Sequence, residues 1–369
     1  MLYIILTYLF SPIIYLLLSF KKKAVKRILI IQTAKIGDLI CSTPVFRAIR
    51  KRYPDAHLTA MVSPVTKELL ENNPNVDKII PIKNTDLKGF SGKWRLSGLI
   101  RKGRYHIAIA LNPNVPFAIA LFWGLVPVRL SIMPNFSGIT FRLASLFYTY
   151  LEKHISGRLI TETYIQMLKN IGIESTNISK EVYKSDTADT KAEQILGKID
   201  KPLIGIAVSS GNKLKELGVE KIAKITDLLL GNFDAFIVLI GSIYDTDVAN
   251  RVLDLAIKKY KVINATGRLD LNELPALIER LSLFIGVDTG ITYMADALSV
   301  PIIHLAGPID ISEQRPIGEK VFIIQNKLPC LPCTYVFKAA YTCKMNTREC
   351  IKMIKIEEIV DAAKKIIHK

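Results

Sequence analysis

The stretch Leu281–Gly307, LSLFIGVDTGITYMADALSVPIIHLAG, decides the fold. LFIGV is an unbroken apolar run, as in a parallel strand buried on both faces. Asp288-Thr289-Gly290 follows as a small polar turn, then a helical segment, then a second apolar run, PIIHLAG. Strand, turn, helix and strand in that order make a βαβ unit. The pattern extends upstream through LIGIAVS, FIVLIGS and KVINAT, each separated by a helical segment. Around residues 176–200 it lapses into polar sequence. Before the lapse an equivalent set appears: RILIIQTA, HLTAMVS, DKIIPI and HIAIALN. The restart predicts two α/β units with parallel sheets, residues 24–190 and 200–350, closed by an amphipathic C-terminal helix over 351–369. Ligands of such sheets bind at the carboxyl ends of strands, so two Rossmann-like units facing each other suggest a central cleft.

The composition agrees. With 369 residues, half of them apolar, the chain can bury two cores, which excludes a disordered protein. Five cysteines in this length exclude a disulfide miniprotein. A mean hydropathy of +0.27 and a net charge of +17 are both high. They meet at the N-terminus, where LYIILTYLFSPIIYLLLSF (Leu2–Phe20) carries no charge and KKKAVKR (Lys21–Arg27) follows at once. The run has the length of a bilayer span and lacks a basic segment before it or a small-x-small cleavage site after it. Residues 1–23 are therefore expected to anchor the chain. Ser11-Pro12 in the middle makes a kinked, re-entrant segment a competitor to a straight span, and a helix packed on the protein's own surface is the third reading. Basic flanks prefer the cytoplasmic side, which predicts a membrane protein with its folded units in the cytoplasm, and the lysines suit anionic headgroups. No zinc-finger spacing, RNP-type aromatic strand or long basic helix supports a nucleic-acid partner.

Four loops carry candidate chemistry. The first, Thr33–Asp38, lacks the G-x-G-x-x-G of nicotinamide and flavin enzymes. Gly37 permits close backbone approach, and Asp38 is either a helix cap or a base for an acceptor hydroxyl, with Lys35 beside it. The second, Val208–Asn212, is followed by Lys213 and Lys215; Ser209 and a lysine suit a diphosphate. The third holds Asp245-x-Asp247 ahead of a helix, open to capping, ribose contact or a metal. The fourth is Asp288-Thr289-Gly290, where a helix start offers backbone N–H groups to a nucleotide diphosphate. Cys330, Cys333, Cys343 and Cys350 form a C-x2-C-x9-C-x6-C array, readable as reduced thiols, a zinc site or disulfides, the last disfavoured by a cytoplasmic location.

Taken in order, these loops resemble the heptosyltransferases, glycosyltransferase family 9. The resemblance is carried by RILIIQTAKIGDLICSTPVFRAIRKRYPDAHLTAMVSP and NATGRLDLNELPALIERLSLFIGVDTGITYMADALSVPIIHLAGPID, and covers roughly residues 26–368. It implies a GT-B fold, an acceptor on the first unit and a nucleotide sugar on the second. It further implies an inverting, metal-independent transferase without cofactor, moving a sugar, ADP-heptose being the favoured donor, onto a lipopolysaccharide-core or other lipid-linked glycan. On this resemblance Asp38 is the base, and Lys215, Asp288, Thr289 and Gly290 hold the diphosphate. Asp245 or Asp247 reaches the nucleotide ribose. The chain departs from the family at Ala34, at Leu217, where tryptophan is usual, and at Tyr293, where histidine is usual. A non-catalytic, membrane-tethered binding relative and a sugar-nucleotide epimerase on the same fold are the alternative readings.

Overall fold

The computed structural model describes residues 2–20 and 24–367, so Lys21, Lys22 and Lys23 of the basic flank lie outside the described residues. The chain divides into two compact units, Met1–Ile178 and Ser179–Lys369. In the first, β1 (Arg27–Gln32), β2 (His57–Val62), β3 (Lys78–Pro81), β4 (Ile107–Ala110), β5 (Val128–Met133) and β6 (Tyr150–Lys153) form one parallel sheet in the order β3-β2-β1-β4-β5-β6. In the second, β7 (Leu203–Ala207), β8 (Phe236–Ile240), β9 (Val262–Asn264), β10 (Leu283–Val287), β11 (Ile302–Leu305) and β12 (Val321–Ile324) repeat that order as β9-β8-β7-β10-β11-β12. Both sheets thus reverse direction beside their first strand, between β1 and β4 and between β7 and β10. These reversals are where open α/β sheets bind ligands, beyond the carboxyl ends of the strands.

The apolar runs do what their composition dictates. All residues of β4, β7, β10 and β11 are buried, because helices cover both faces of a parallel sheet. In the second unit the helix Ile356–Ile367 completes the core by burying Ile359, Val360 and Ala363 beside Ile351. Strands β5, β6 and β12 were not legible as strands. β5 hides an arginine: Arg129 is buried, and its guanidinium donates to the carbonyls of Val126, Pro127 and Phe147. Burial lowers its pKa to about 10, against the opposing pull of Tyr15 and Tyr148. A charged residue in mid-strand is read from sequence as exposed, and only the three carbonyls make it tolerable inside.

The N-terminal segment is one helix, Leu2–Ser19, unbroken at Pro12. Proline removes the bond that Tyr8 O would accept four residues back, and the Ser11 hydroxyl donates to that same carbonyl at 2.8 Å. The helix lies against its own unit rather than apart from it. Ile4, Thr7 and Ile14 are buried, Tyr8 and Tyr15 pack on Phe147 and Phe122, and Trp123 Nε1 donates to Thr7 Oγ1 at 2.8 Å. The opposite side remains exposed and apolar.

Candidate active site

In the first unit, the sequence places a carboxylate at the sheet reversal. Lys35 is the N-cap of the helix Ile36–Arg52, and its backbone N–H donates to Asp38 Oδ2 at 3.1 Å. Asp38 therefore caps the helix, and its half-buried position at the carboxyl end of β1 also leaves it at the edge where ligands bind. Gly37, expected in the loop, is buried inside the first helical turn. Around Asp38 stand groups that the sequence did not single out. Gln32 Nε2 donates to the Tyr164 hydroxyl at 3.3 Å, and Asn112 Nδ2, from the end of β4, donates to Thr33 Oγ1 at 3.2 Å. Burial, then the charge of Asp38, pushes the Tyr164 phenol well above its usual range, so it stays a neutral hydroxyl. Tyr164 belongs to the helix Ile160–Leu168, far away in sequence, and no local pattern marks it.

In the second unit, the loops after β7 and β10 converge. Asn212 Oδ1 accepts from Leu214 N at 3.1 Å, and its amide donates to Ala340 O at 2.8 Å, fixing the short turn Lys213–Lys215. That turn delivers Lys215 Nζ onto Asp288 Oδ2, while the Tyr293 hydroxyl donates to Asp288 Oδ1. Both charged side chains are nearly buried, 14% and 10% exposed. Burial alone would raise the pKa of Asp288, but the charges of Lys215 and His304 and the bonds from Lys215 and Tyr293 outweigh it, and the carboxyl is held below its ordinary value. Close to the pair lies His304, fully buried on β11 with neither ring nitrogen hydrogen-bonded among the described residues. Burial, reinforced by Lys215 and opposed by Asp288 and Asp296, lowers its pKa to about 4 and keeps it neutral.

Thr289 caps the helix Gly290–Ala297 in extended backbone conformation without a side-chain hydrogen bond, so the helix start presents its N–H groups beside Lys215. Ser209 is half-buried in the same loop cluster, and Ser210 Oγ donates to Asp288 O at 3.3 Å. Lys215, Ser209, Asp288, Thr289 and Gly290 are thus brought to one edge. Asp245, after β8, accepts from both the N–H and the hydroxyl of Ser242, at 2.7 and 2.6 Å, which is a capping role. Asp247 is exposed in the first turn of the next helix, Thr246–Leu255. The four C-terminal cysteines line one cavity of about 420 Å³ as free thiols, and none is in a disulfide. Among the described residues no group of three or more His, Cys, Asp or Glu side chains is arranged to hold a metal ion, so the zinc reading finds no ligand set here.

Two doubly wound sheets, the second with a lysine and a helix start at its reversal, define an α/β protein of the GT-B type. The chain belongs to glycosyltransferase family 9, the heptosyltransferases, whose sequence pattern matches residues 93–341, and it is a glycosyltransferase. Lipopolysaccharide heptosyltransferase 3 of Escherichia coli K12 is 24% identical over 297 residues, 77% of this chain and 83% of that protein. Lipooligosaccharide heptosyltransferase 2 of Haemophilus ducreyi is 25% identical over 328 residues, 81% and 88% of the two chains. A family 9 glycosyl transferase from Veillonella parvula superposes with a TM-score of 0.76 at 23% identity, covering 94% of this chain and 98% of the other. ADP-heptose lipopolysaccharide heptosyltransferase II of E. coli superposes with a TM-score of 0.72 at 18% identity, covering 92% and 98%.

Proposed function

We propose that this protein transfers heptose from ADP-heptose, with inversion and without a metal, onto a lipopolysaccharide-core or other lipid-linked glycan at the cytoplasmic face of a membrane. The observation that carries the reading is the Lys215–Asp288–Tyr293 cluster beside the start of the helix Gly290–Ala297, at the reversal of the second sheet. The names of the relatives, lipopolysaccharide and lipooligosaccharide heptosyltransferases, supply the sugar and the acceptor class.

In this mechanism the donor diphosphate binds at Lys215, Ser209 and the backbone N–H groups of Thr289 and Gly290. The acceptor oxygen attacks the anomeric carbon on the face opposite the diphosphate, the bond to the leaving oxygen breaks, and Asp38 takes the hydroxyl proton. Lys215 and the helix amides hold the charge that develops on the departing diphosphate, the task a divalent cation performs in other transferases. Asp245 supports the metal-free reading, since its carboxylate is committed to Ser242. Asp247 remains open to a ribose contact. The basic flank through Arg27 supports the cytoplasmic face, whose anionic lipids attract basic segments beside a membrane-bound helix.

The test is Asp38→Asn. The amide oxygen can still accept from Lys35 N–H, so the helix cap survives while the base is lost. Turnover should fall by about 10²–10⁴-fold with ADP binding unchanged. Normal turnover would dismiss Asp38 as the base.

A further inference from the structure

The N-terminal helix and the pocket at its carboxyl end fit one kind of partner. Leu2, Ile5, Leu9, Ile13 and Leu16 fall within about 80° of arc at 100° per residue, and Phe20 continues the stripe beyond the helix end. All six are 57–77% exposed, along a helix of 18 residues and hence about 27 Å. Phe20 then lines a pocket of about 660 Å³ whose other walls include Lys26, Arg27, Lys102 and Arg104, with no carboxylate among the described lining residues. The Arg27 guanidinium donates to Gly103 O at 3.1 Å, and Lys26, Lys102 and Arg104 are exposed with no ion pair to any described residue. Near the other end of the helix, Phe90 and Trp94 stand 58% and 60% exposed beside Tyr3 and Phe10, over a cavity of about 330 Å³ with nearly wholly apolar walls.

We propose that this face docks flat on an anionic bilayer, with the helix stripe in the interfacial region and the Lys26–Arg27–Lys102–Arg104 pocket taking the phosphate of a phospholipid headgroup. Resting on the membrane reading above, this replaces a spanning anchor with an interfacial one. The helix side that a span would give to lipid is already spent on Phe122, Trp123 and Phe147. A long apolar stripe flanked by cations is the signature of a helix lying in the interface plane, and tryptophan favours that depth. Four cations without carboxylates supply the charge complementarity that a neutral surface would not use.

The test is co-sedimentation of the full-length protein with phosphatidylcholine vesicles, with and without phosphatidylglycerol. Wild type should bind the anionic vesicles more tightly, and release under alkaline wash. Lys102→Gln/Arg104→Gln should weaken binding to anionic vesicles by about 25-fold, fivefold per cation removed, with little change on neutral ones. Leu9→Ser/Ile13→Ser, both at exposed positions, should weaken binding to both. Equal binding of wild type and the Lys102/Arg104 variant to anionic vesicles would overturn the proposal, as would retention of wild type after alkaline wash. Calorimetric binding of inorganic phosphate that is lost in Lys102→Gln/Arg104→Gln, with wild-type vesicle binding unchanged by saturating phosphate, would show a free-anion site instead, and would also overturn it. ADP calorimetry on wild type separates the two readings: vesicle binding without ADP binding leaves this surface standing and sinks the ADP-heptose reading.

Discussion

Removing Lys215 should destabilise the second unit and weaken its anion site by two separable routes. In Lys215→Ala the Asp288 carboxylate keeps its place but loses its ammonium partner. Breaking a buried ion pair from one side costs about 3–5 kcal/mol. Residual exposure of both side chains and the surviving bond from Tyr293 put the loss at the lower end, about 3 kcal/mol. For a unit the size of Ser179–Lys369 that corresponds to a fall in Tm of about 6–12 °C. The pH dependence has a definite sign. In wild type the Asp288 pKa is depressed, so its stabilisation is complete above the unfolded value and is lost as pH falls through the folded one. Without Lys215, burial should push that pKa upward, and protonation then relieves the orphaned charge. The gap in Tm between wild type and variant should therefore narrow as pH falls toward the unfolded carboxyl value. Adding Asp288→Asn removes the orphan and should recover most of the stability, but not nucleotide binding. Calorimetry with ADP reads the second route: loss of a charge-assisted contact of about 2 kcal/mol weakens binding about 30-fold in both the single and the double variant. A double variant as unstable as Lys215→Ala would refute the ion-pair reasoning. Wild-type ADP affinity in Lys215→Ala would refute the assignment of Lys215 to the diphosphate.

Three further outcomes can be checked by thermal melting and proteolysis. Tyr293→Phe removes one bond to a buried carboxylate and should cost about 1.5–3 kcal/mol, with Asp288 titrating higher. His304→Leu replaces a buried ring whose nitrogens have no partner among the described residues, so at pH 7 it should be neutral or stabilising. Because the folded pKa of His304 is lowered to about 4, its contribution is complete above the unfolded value near 6.5 and is lost as pH falls, so the variant should gain relative stability between about pH 6.5 and 4. Ile14→Ala leaves a cavity under the N-terminal helix at a cost of about 2–4 kcal/mol and should lower the Tm of the first unit and speed limited proteolysis within residues 2–20 relative to wild type.

Nine of the twelve strands, their division between two parallel sheets and the loops that carry the candidate site are legible in the sequence alone. Runs such as LFIGV and LIGIA must be strands covered on both faces, and strand order then places Ser209, Lys215 and Asp288 at the carboxyl edge. Family pattern added Asp38, whose capping geometry is local and whose position at β1 follows from the strand before it. Tertiary structure decided what depends on partners distant in sequence. Lys215 meets Asp288 across 73 positions, Gln32 meets Tyr164 across 132, and neither pairing leaves a periodic trace. Strand β5 was hidden because Arg129 reads as surface until three carbonyls receive it. The N-terminal run shows the same division most plainly. Its hydrophobicity is a property of composition, but which side of that helix is satisfied by protein, and which is left for another apolar phase, is fixed by Trp123, Phe122 and Phe147 on elements more than a hundred residues away.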